Sequence, residues 1–239
     1  MKWSEFKSNV STTFGGAVSG GLDSCTTTHW LSTKGIDVKC FTVDLGQPDE
    51  ENIEVVSDRM MSCGASEAMV IPGQDPLAEA GLKVIQSQAK YEGGYWNTTG
   101  IARPITVQAI LKEFEPRDIK VLFHGATGRG NDQVRFQLSA NMIDPEIQVY
   151  APWRDEDFLK KFPGRVEMIE YCESEGLPIR PAKESKYSTD ANLLGLTHEA
   201  GDLETVSIGP DFVEPGMGLW PWDAPDVPLY VSVQWEEGR

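Results

Sequence analysis

The residue types that can do chemistry sit in two glycine-rich stretches. One is Ala17-Val18-Ser19-Gly20-Gly21-Leu22-Asp23-Ser24. The other is His124-Gly125-Ala126-Thr127-Gly128-Arg129-Gly130-Asn131-Asp132-Gln133-Val134-Arg135. Each falls where a strand should hand over to a helix, so backbone N–H groups and a helix dipole face an incoming anion. Hydroxyls, carboxylates, an amide and an Arg at fixed offsets suit a nucleotide together with a polar substrate. The first stretch is not a Walker A loop, because no Lys-Ser/Thr pair follows its glycines. It is also not the dinucleotide pattern G-x-G-x-x-G. Its glycines let the backbone approach phosphates, and Ser19 and Ser24 add hydroxyl donors. Asp23 repels phosphate and suits Mg²⁺ or the orientation of the loop. The structural alternative is a Gly-Gly turn capped by Asp and Ser. His29, His124 and His198 form no metal pattern and are read as structural. His124 is the best functional candidate of the three, since it opens the second stretch.

Strand–helix alternation is what positions these stretches. A weak strand ends at Ala17-Val18, and Gly15 and Gly16 put its packing in question. A helix is expected over 24–34, stopped by Gly35, and then a strand over 38–44. Asp49, Glu50 and Glu51 favour a helix start, with Ile53, Val56 and Met60 on one face. A strand over 68–71, a helix over 76–90 and a polar loop over 91–100 follow. Pro104 suits the first turn of a helix running to Phe114. A strand over 119–123 feeds the second glycine stretch. A helix over 132–142, a strand over 147–150 and a helix over 164–175 complete the pattern. Asp155-Glu156-Asp157 reads as helix-start acids or a solvated face. Five strands alternating with helices imply a mostly parallel sheet covered on both faces. Beyond Gly176 the character changes. Residues 229–235 alternate like a half-buried strand, and Trp220, Trp222 and Trp235 are expected in the core of a second, α+β domain.

The 239 residues carry 21 Lys plus Arg against 37 Asp plus Glu, a formal charge of −16. That argues against a broad nucleic-acid or anionic-lipid surface. There is no apolar run of the ~20 residues a bilayer requires and no signal-peptide h-region. Cys25, Cys40, Cys63 and Cys172 show no metal spacing. They are expected as reduced thiols in a cytoplasmic protein, with Cys25 packing rather than reacting.

Ser19-Gly20-Gly21-Leu22-Asp23-Ser24 carries the pyrophosphate-loop signature. Enzymes with this loop usually cleave ATP between the α and β phosphates and adenylylate a substrate oxygen. With Leu45-Gly46-Gln47, Ala102-Arg103-Pro104, His124–Gly128 and Gly130–Phe136, the sequence resembles the argininosuccinate synthase family. Tyr187–Leu193 and His198–Glu204 extend the match, in the family's order, to residue 204. The resemblance implies a Rossmann-like parallel sheet of the adenine nucleotide alpha-hydrolase type over 1–175. The start of an α+β synthetase domain over 176–239 would follow. It also implies the condensation of citrulline with aspartate, driven by ATP and Mg²⁺ through citrullyl-AMP, giving argininosuccinate, AMP and pyrophosphate. The partners implied are small molecules and, for the full-length family member, a homotetramer.

Carried over residue by residue, the resemblance places ATP on Ala17, Val18, Ser19, Gly20, Gly21, Leu22, Asp23, Ser24 and Cys25, with Val43 near the adenine and Gly125 near the phosphates. It places citrulline on Tyr95, Thr99, Asn131, Arg135, Ser188 and Thr197, and aspartate on Thr127, Asn131 and Asp132. Asp132 would pair with the aspartate ammonium, and it or a phosphate oxygen would take the amine's proton. No residue stands out as a dedicated general base, and no protein metal site is expected. Departures from the family pattern are Cys25 for Ser, Arg129 for Lys, Gly100 for a Ser found in some members, and Thr197 for Ser. Family members are longer, and a Glu and a Tyr that contact citrulline, with the interlocking C-terminal helix, lie beyond the point matching Arg239. Two alternatives stay open. One is a truncated ATP-binding domain without turnover. The other is a related pyrophosphate-loop ligase for a different ureido acid, amine or, less compatibly with the acidic charge, tRNA.

Overall fold

The computed structural model describes residues 2–48, 52–90, 93–128, 130–179, 187–199 and 201–237. Helix α1 (Trp3–Asn9) leads into strand β1 (Thr13–Ala17), followed by α2 (Leu22–Thr33) and β2 (Asp37–Asp44). Then come α3 (Glu54–Ser62), β3 (Glu67–Pro72), α4 (Gln74–Gln86), α5 (Thr98–Phe114) and β4 (Val121–His124). Next are α6 (Asp132–Ile143), β5 (Gln148–Tyr150), α7 (Glu156–Lys161) and α8 (Arg165–Ser174). A hairpin of β6 (Ser188–Asn192) and β7 (Gly195–Glu199) follows. Strands β1 to β5 form one parallel sheet in the order β3-β2-β1-β4-β5. The chain winds outward from β1 through β2 and β3, then returns to place β4 on the other side of β1. That reversal opens a crevice at the carboxyl ends of β1 and β4, where sheets of this kind bind ligands. Among the described residues no helix is long and apolar enough to cross a membrane.

The pleat sends alternate residues to two cores. One holds Phe14, Trp30, Val121, Phe123, Tyr150 and Phe158. The other holds Phe41, Val107, Ile110, Phe114, Leu122 and Phe136. The glycines that weaken β1 in the sequence have a packing role. Gly16 lies in register with Phe123 on β4, and a Cβ there would overlap the Phe123 ring. Gly15 faces the other core, and a Cβ there would overlap Phe114. Each aromatic ring covers strand backbone that a larger residue would occupy.

Asp155 is more than a helix-start acid. It is fully buried and caps α7 by accepting from Asp157 N at 2.8 Å. It also accepts from Trp3 N at 2.7 Å and from the Tyr150 hydroxyl at 2.9 Å. It therefore ties α1, β5 and α7 together. Asp155→Ala strands the buried Tyr150 hydroxyl and removes the cap, with an expected cost of about 3 kcal/mol. Urea unfolding measures it, and a loss below about 1 kcal/mol would contradict this assignment.

Several expectations are corrected. Helix α5 starts at Thr98, so Pro104 lies inside it. Burial of Ala102, Val107, Ile110, Leu111 and Phe114 outweighs the proline penalty. Helix α4 ends at Gln86 rather than residue 90. Residues 229–235 are not a strand. Leu229, Val231 and Val233 stand exposed, and alternation without a pairing partner does not make a strand. Trp220 and Trp222 stack with centroids 4.8 Å apart, but Trp222 is 68% and Trp235 56% exposed, so they build no core. Helix α1 and the β6–β7 hairpin go beyond the sequence expectations, whereas α7 starts where Asp155-Glu156-Asp157 offered helix-start acids. The acids at 49–51 and Arg129 lie outside the described residues.

Candidate functional site

The first glycine turn links β1 to α2. Gly20 takes φ +72°, a left-handed conformation that glycine adopts at little cost, and Gly21 is the N-cap of α2. Ser19 N donates to Ser24 Oγ at 3.1 Å, Thr42 Oγ1 donates to Val18 O at 3.0 Å, and Arg59 Nη1 donates to Gly20 O at 3.0 Å. These bonds fix the turn from β2 and α3. The second turn follows β4 beside it. A Cβ at Gly125 would lie 3.1 Å from Asp23 Cβ, so the glycine allows the two turns to close on each other.

Between them lies a cleft of about 280 Å³. Its walls include Ala17, Val18, Ser19, Gly21, Asp23 and Ser24 from the first turn, Val43 from β2, and Gly125 and Asp132 from the second. Of the expected nucleotide residues, Gly20, Leu22 and Cys25 do not line it. Cys25 is fully buried, its thiol 3.7 Å from Gly20 O, and its neighbour Cys63 and burial push its pKa up. That thiol is packed and unreactive. Asp23 Oδ1 accepts from Trp153 Nε1 at 2.9 Å, and burial raises its carboxyl pKa.

Beside the cleft the β6–β7 hairpin docks on α5 and the loop after β2. Leu193 N donates to Leu45 O at 2.8 Å, and Asn192 Nδ2 donates to Thr98 O at 3.2 Å. This docking brings three expected ligands together. Thr99 Oγ1 and Thr197 Oγ1 are 3.3 Å apart, and Thr99 N donates to the Tyr95 hydroxyl at 3.3 Å. Thr127 and Asn131 are exposed on the second turn, and Ser188 is exposed at the start of the hairpin, in register with Glu199.

Asp132 is held from two sides. Arg103 Nε donates to its Oδ2 at 2.8 Å and Arg135 Nη1 to its Oδ1 at 2.9 Å. Arg103 Nη2 also pairs with Asp190 on β6. Burial raises the Asp190 carboxyl pKa against the opposing pull of Arg103. No role had been assigned to Arg103, Asp190, Gln47 or Trp153. Arg103 and Gln47 do lie in the Ala102-Arg103-Pro104 and Leu45-Gly46-Gln47 segments, and a polar residue amid apolar neighbours was the available signal. Gln47 folds the loop after β2 by accepting from Leu45 N at 2.8 Å and donating to Val43 O at 2.9 Å.

His124 is fully buried and stacks on Phe136 with centroids 4.6 Å apart. Its Nδ1 accepts from Ala126 N at 3.2 Å, which places the proton of the neutral ring on Nε2. Burial lowers its pKa to about 4. The folded state therefore favours the neutral ring, while the unfolded chain takes up a proton near the usual value of about 6.5. The unfolded state binds more protons in that window, so stability is full above about pH 6.5 and falls as pH drops toward 4. The loss is expected to reach about 3 kcal/mol at most. Unfolding midpoints of wild type and His124→Gln compared between pH 7 and pH 4 should show a shallower fall in the variant. Parallel curves would contradict the assignment.

The model of the arginosuccinate synthase N-terminal HUP domain matches residues 16–178. Argininosuccinate synthase from Rhodopirellula baltica is 41% identical over 224 residues, 93% of this chain and 55% of the relative. The enzyme of that name from Thermotoga petrophila is 36% identical over 223 residues, 93% of this chain and 54% of the relative. The chain thus spans about half the length of the curated relatives it matches. The family match begins at Gly16, at the end of the strand that enters the first glycine turn, and runs past α8, taking in both turns and strands β2 to β5, so the chain belongs to the argininosuccinate synthase family.

Proposed function

We propose that the cleft binds MgATP and that the protein acts as an AMP-forming carbon–nitrogen ligase, joining citrulline to aspartate through citrullyl-AMP. The observation that carries this reading is the closure of two glycine turns on one another at the β1–β4 crevice. The polar cluster of Thr99, Thr197, Arg103 and Asp132 lies alongside. Backbone donors of the first turn and the start of α2 are placed for the pyrophosphate, which leaves with its charge already met by fixed dipoles. The apolar wall of Val43 and Phe41 suits the adenine. Asp23, at the mouth of α2, suits the magnesium that accompanies the phosphates.

In this reading Thr99, Thr197 and Tyr95 orient the ureido acid so that its oxygen meets the α-phosphorus. Asp132, Asn131 and Thr127 hold the amine substrate. Asp132 serves its ammonium through lone pairs left by Arg103 and Arg135, and Arg135 meets a substrate carboxylate. Alignment of amine and activated carbon supplies most of the rate. Residues from 176 onward are assigned to the start of the synthetase domain. Support for this comes from the family match, which ends at 178. Pyrophosphate release from MgATP, with citrulline and aspartate added singly and together, tests the proposal. Release that needs citrulline, with argininosuccinate only when aspartate is present, is the expected result. Binding of MgATP without any release would favour a nucleotide-binding unit lacking turnover.

A further inference from the structure

The ion pairs beside the cleft join parts of the chain that are far apart in sequence. Arg103 lies on α5, Asp132 and Arg135 at the start of α6, and Asp190 on the hairpin. Arg103 grips Asp132 through Nε and Nη2 and Asp190 through Nη2. Two guanidiniums and two carboxylates leave the group with no net charge, and all four side chains are at least half buried. The hairpin that supplies Asp190 also supplies Thr197, whose hydroxyl faces Thr99. Asp132 and Arg103, in contrast, both line the nucleotide cleft.

We propose that Asp190 is a positioning residue: by holding Arg103 on Asp132 it couples the seating of the β6–β7 hairpin to the charge balance of the nucleotide cleft. The proposal rests on the reading above, in which the cleft takes ATP and the hairpin side takes the ureido acid. With Asp190 neutral, Arg103 keeps one carboxylate partner instead of two, and the cleft gains a positive charge that is no longer balanced. Phosphates are then held at least as well. The hairpin loses its ionic tie and presents Thr197 less firmly. Citrulline affinity should therefore fall without a matching fall in MgATP affinity, a split that a general loss of fold does not produce.

The test compares wild type, Asp190→Asn and Asp190→Glu by titration with MgATP, by titration with citrulline in the presence of MgATP, and by amide hydrogen exchange. In Asp190→Asn, MgATP affinity is expected to stay within about twofold or to tighten, while citrulline affinity falls about tenfold. Exchange of the β6–β7 amides should speed up about tenfold, with β1 and β4 unchanged. Asp190→Glu, which keeps the charge, should recover part of both losses. Equal weakening of both ligands, or hairpin exchange unchanged in Asp190→Asn, would overturn the proposal. Should wild type bind MgATP but not citrulline, the substrate reading fails, and hairpin exchange still decides the coupling.

Discussion

Gly16→Val is expected to cost the protein about 3 kcal/mol or more, the largest stability effect of any single change considered. β1 is the central strand, paired with β2 and β4. Gly16 faces Phe123 in register across the β1–β4 pair, with no room for even a methyl group. Phe123 is itself nearly fully buried, so its ring cannot swing into solvent. Valine favours strands by intrinsic propensity, and on propensity alone the substitution should stabilise. Packing and propensity thus predict opposite signs. Urea unfolding followed by tryptophan fluorescence separates them. A midpoint equal to or above that of wild type would show that the glycine is dispensable.

Gly20→Ala should instead spare the fold and damage the site. At φ +72° an added Cβ is strained, at a cost of roughly 1–2 kcal/mol. It would also lie 2.7 Å from Arg59 Nη1 and 2.9 Å from Val56 Cγ1. The guanidinium tip can move, but moving it breaks the bond from Arg59 to Gly20 O. Val56 is buried on α3 and cannot retreat. The turn must therefore change course, and its backbone donors leave the phosphates. MgATP affinity is expected to fall about 50-fold, equivalent to about 2.3 kcal/mol, measured by calorimetric titration. Affinity within about twofold of wild type would mean that this turn does not hold the phosphates.

Much of the sheet was legible because buried parallel strands and glycine stops are local signals. β4 is a short apolar run, β2 is rich in β-branched and aromatic residues, and Gly35 and Gly64 both take the positive φ of a helix stop. Local signals failed where tertiary contacts decide. Pro104 reads as a helix start, yet the apolar face from Ala102 to Phe114 carries the helix back to Thr98. Residues 229–235 show strand alternation, but a strand exists only with a neighbour to pair with. The two glycine turns were visible as motifs, whereas their mutual approach through Gly125 and Asp23 depends on β1 and β4 being adjacent. The Arg103–Asp190 tie was out of reach for a similar reason. It spans 87 positions of sequence, and nothing near either residue indicates its partner.

The central claim is that a ureido oxygen attacks the α-phosphorus of ATP held in this cleft. Citrulline labelled with oxygen-18 in the ureido group, incubated with the protein, MgATP and aspartate, tests it most directly. Adenylylation forms a bond from that oxygen to phosphorus and releases pyrophosphate. The amine then displaces AMP from the ureido carbon, so the label leaves with AMP. Mass spectrometry is expected to find one oxygen-18 in each AMP formed and none in pyrophosphate. Unlabelled AMP, or ADP with orthophosphate as the products, would contradict the account.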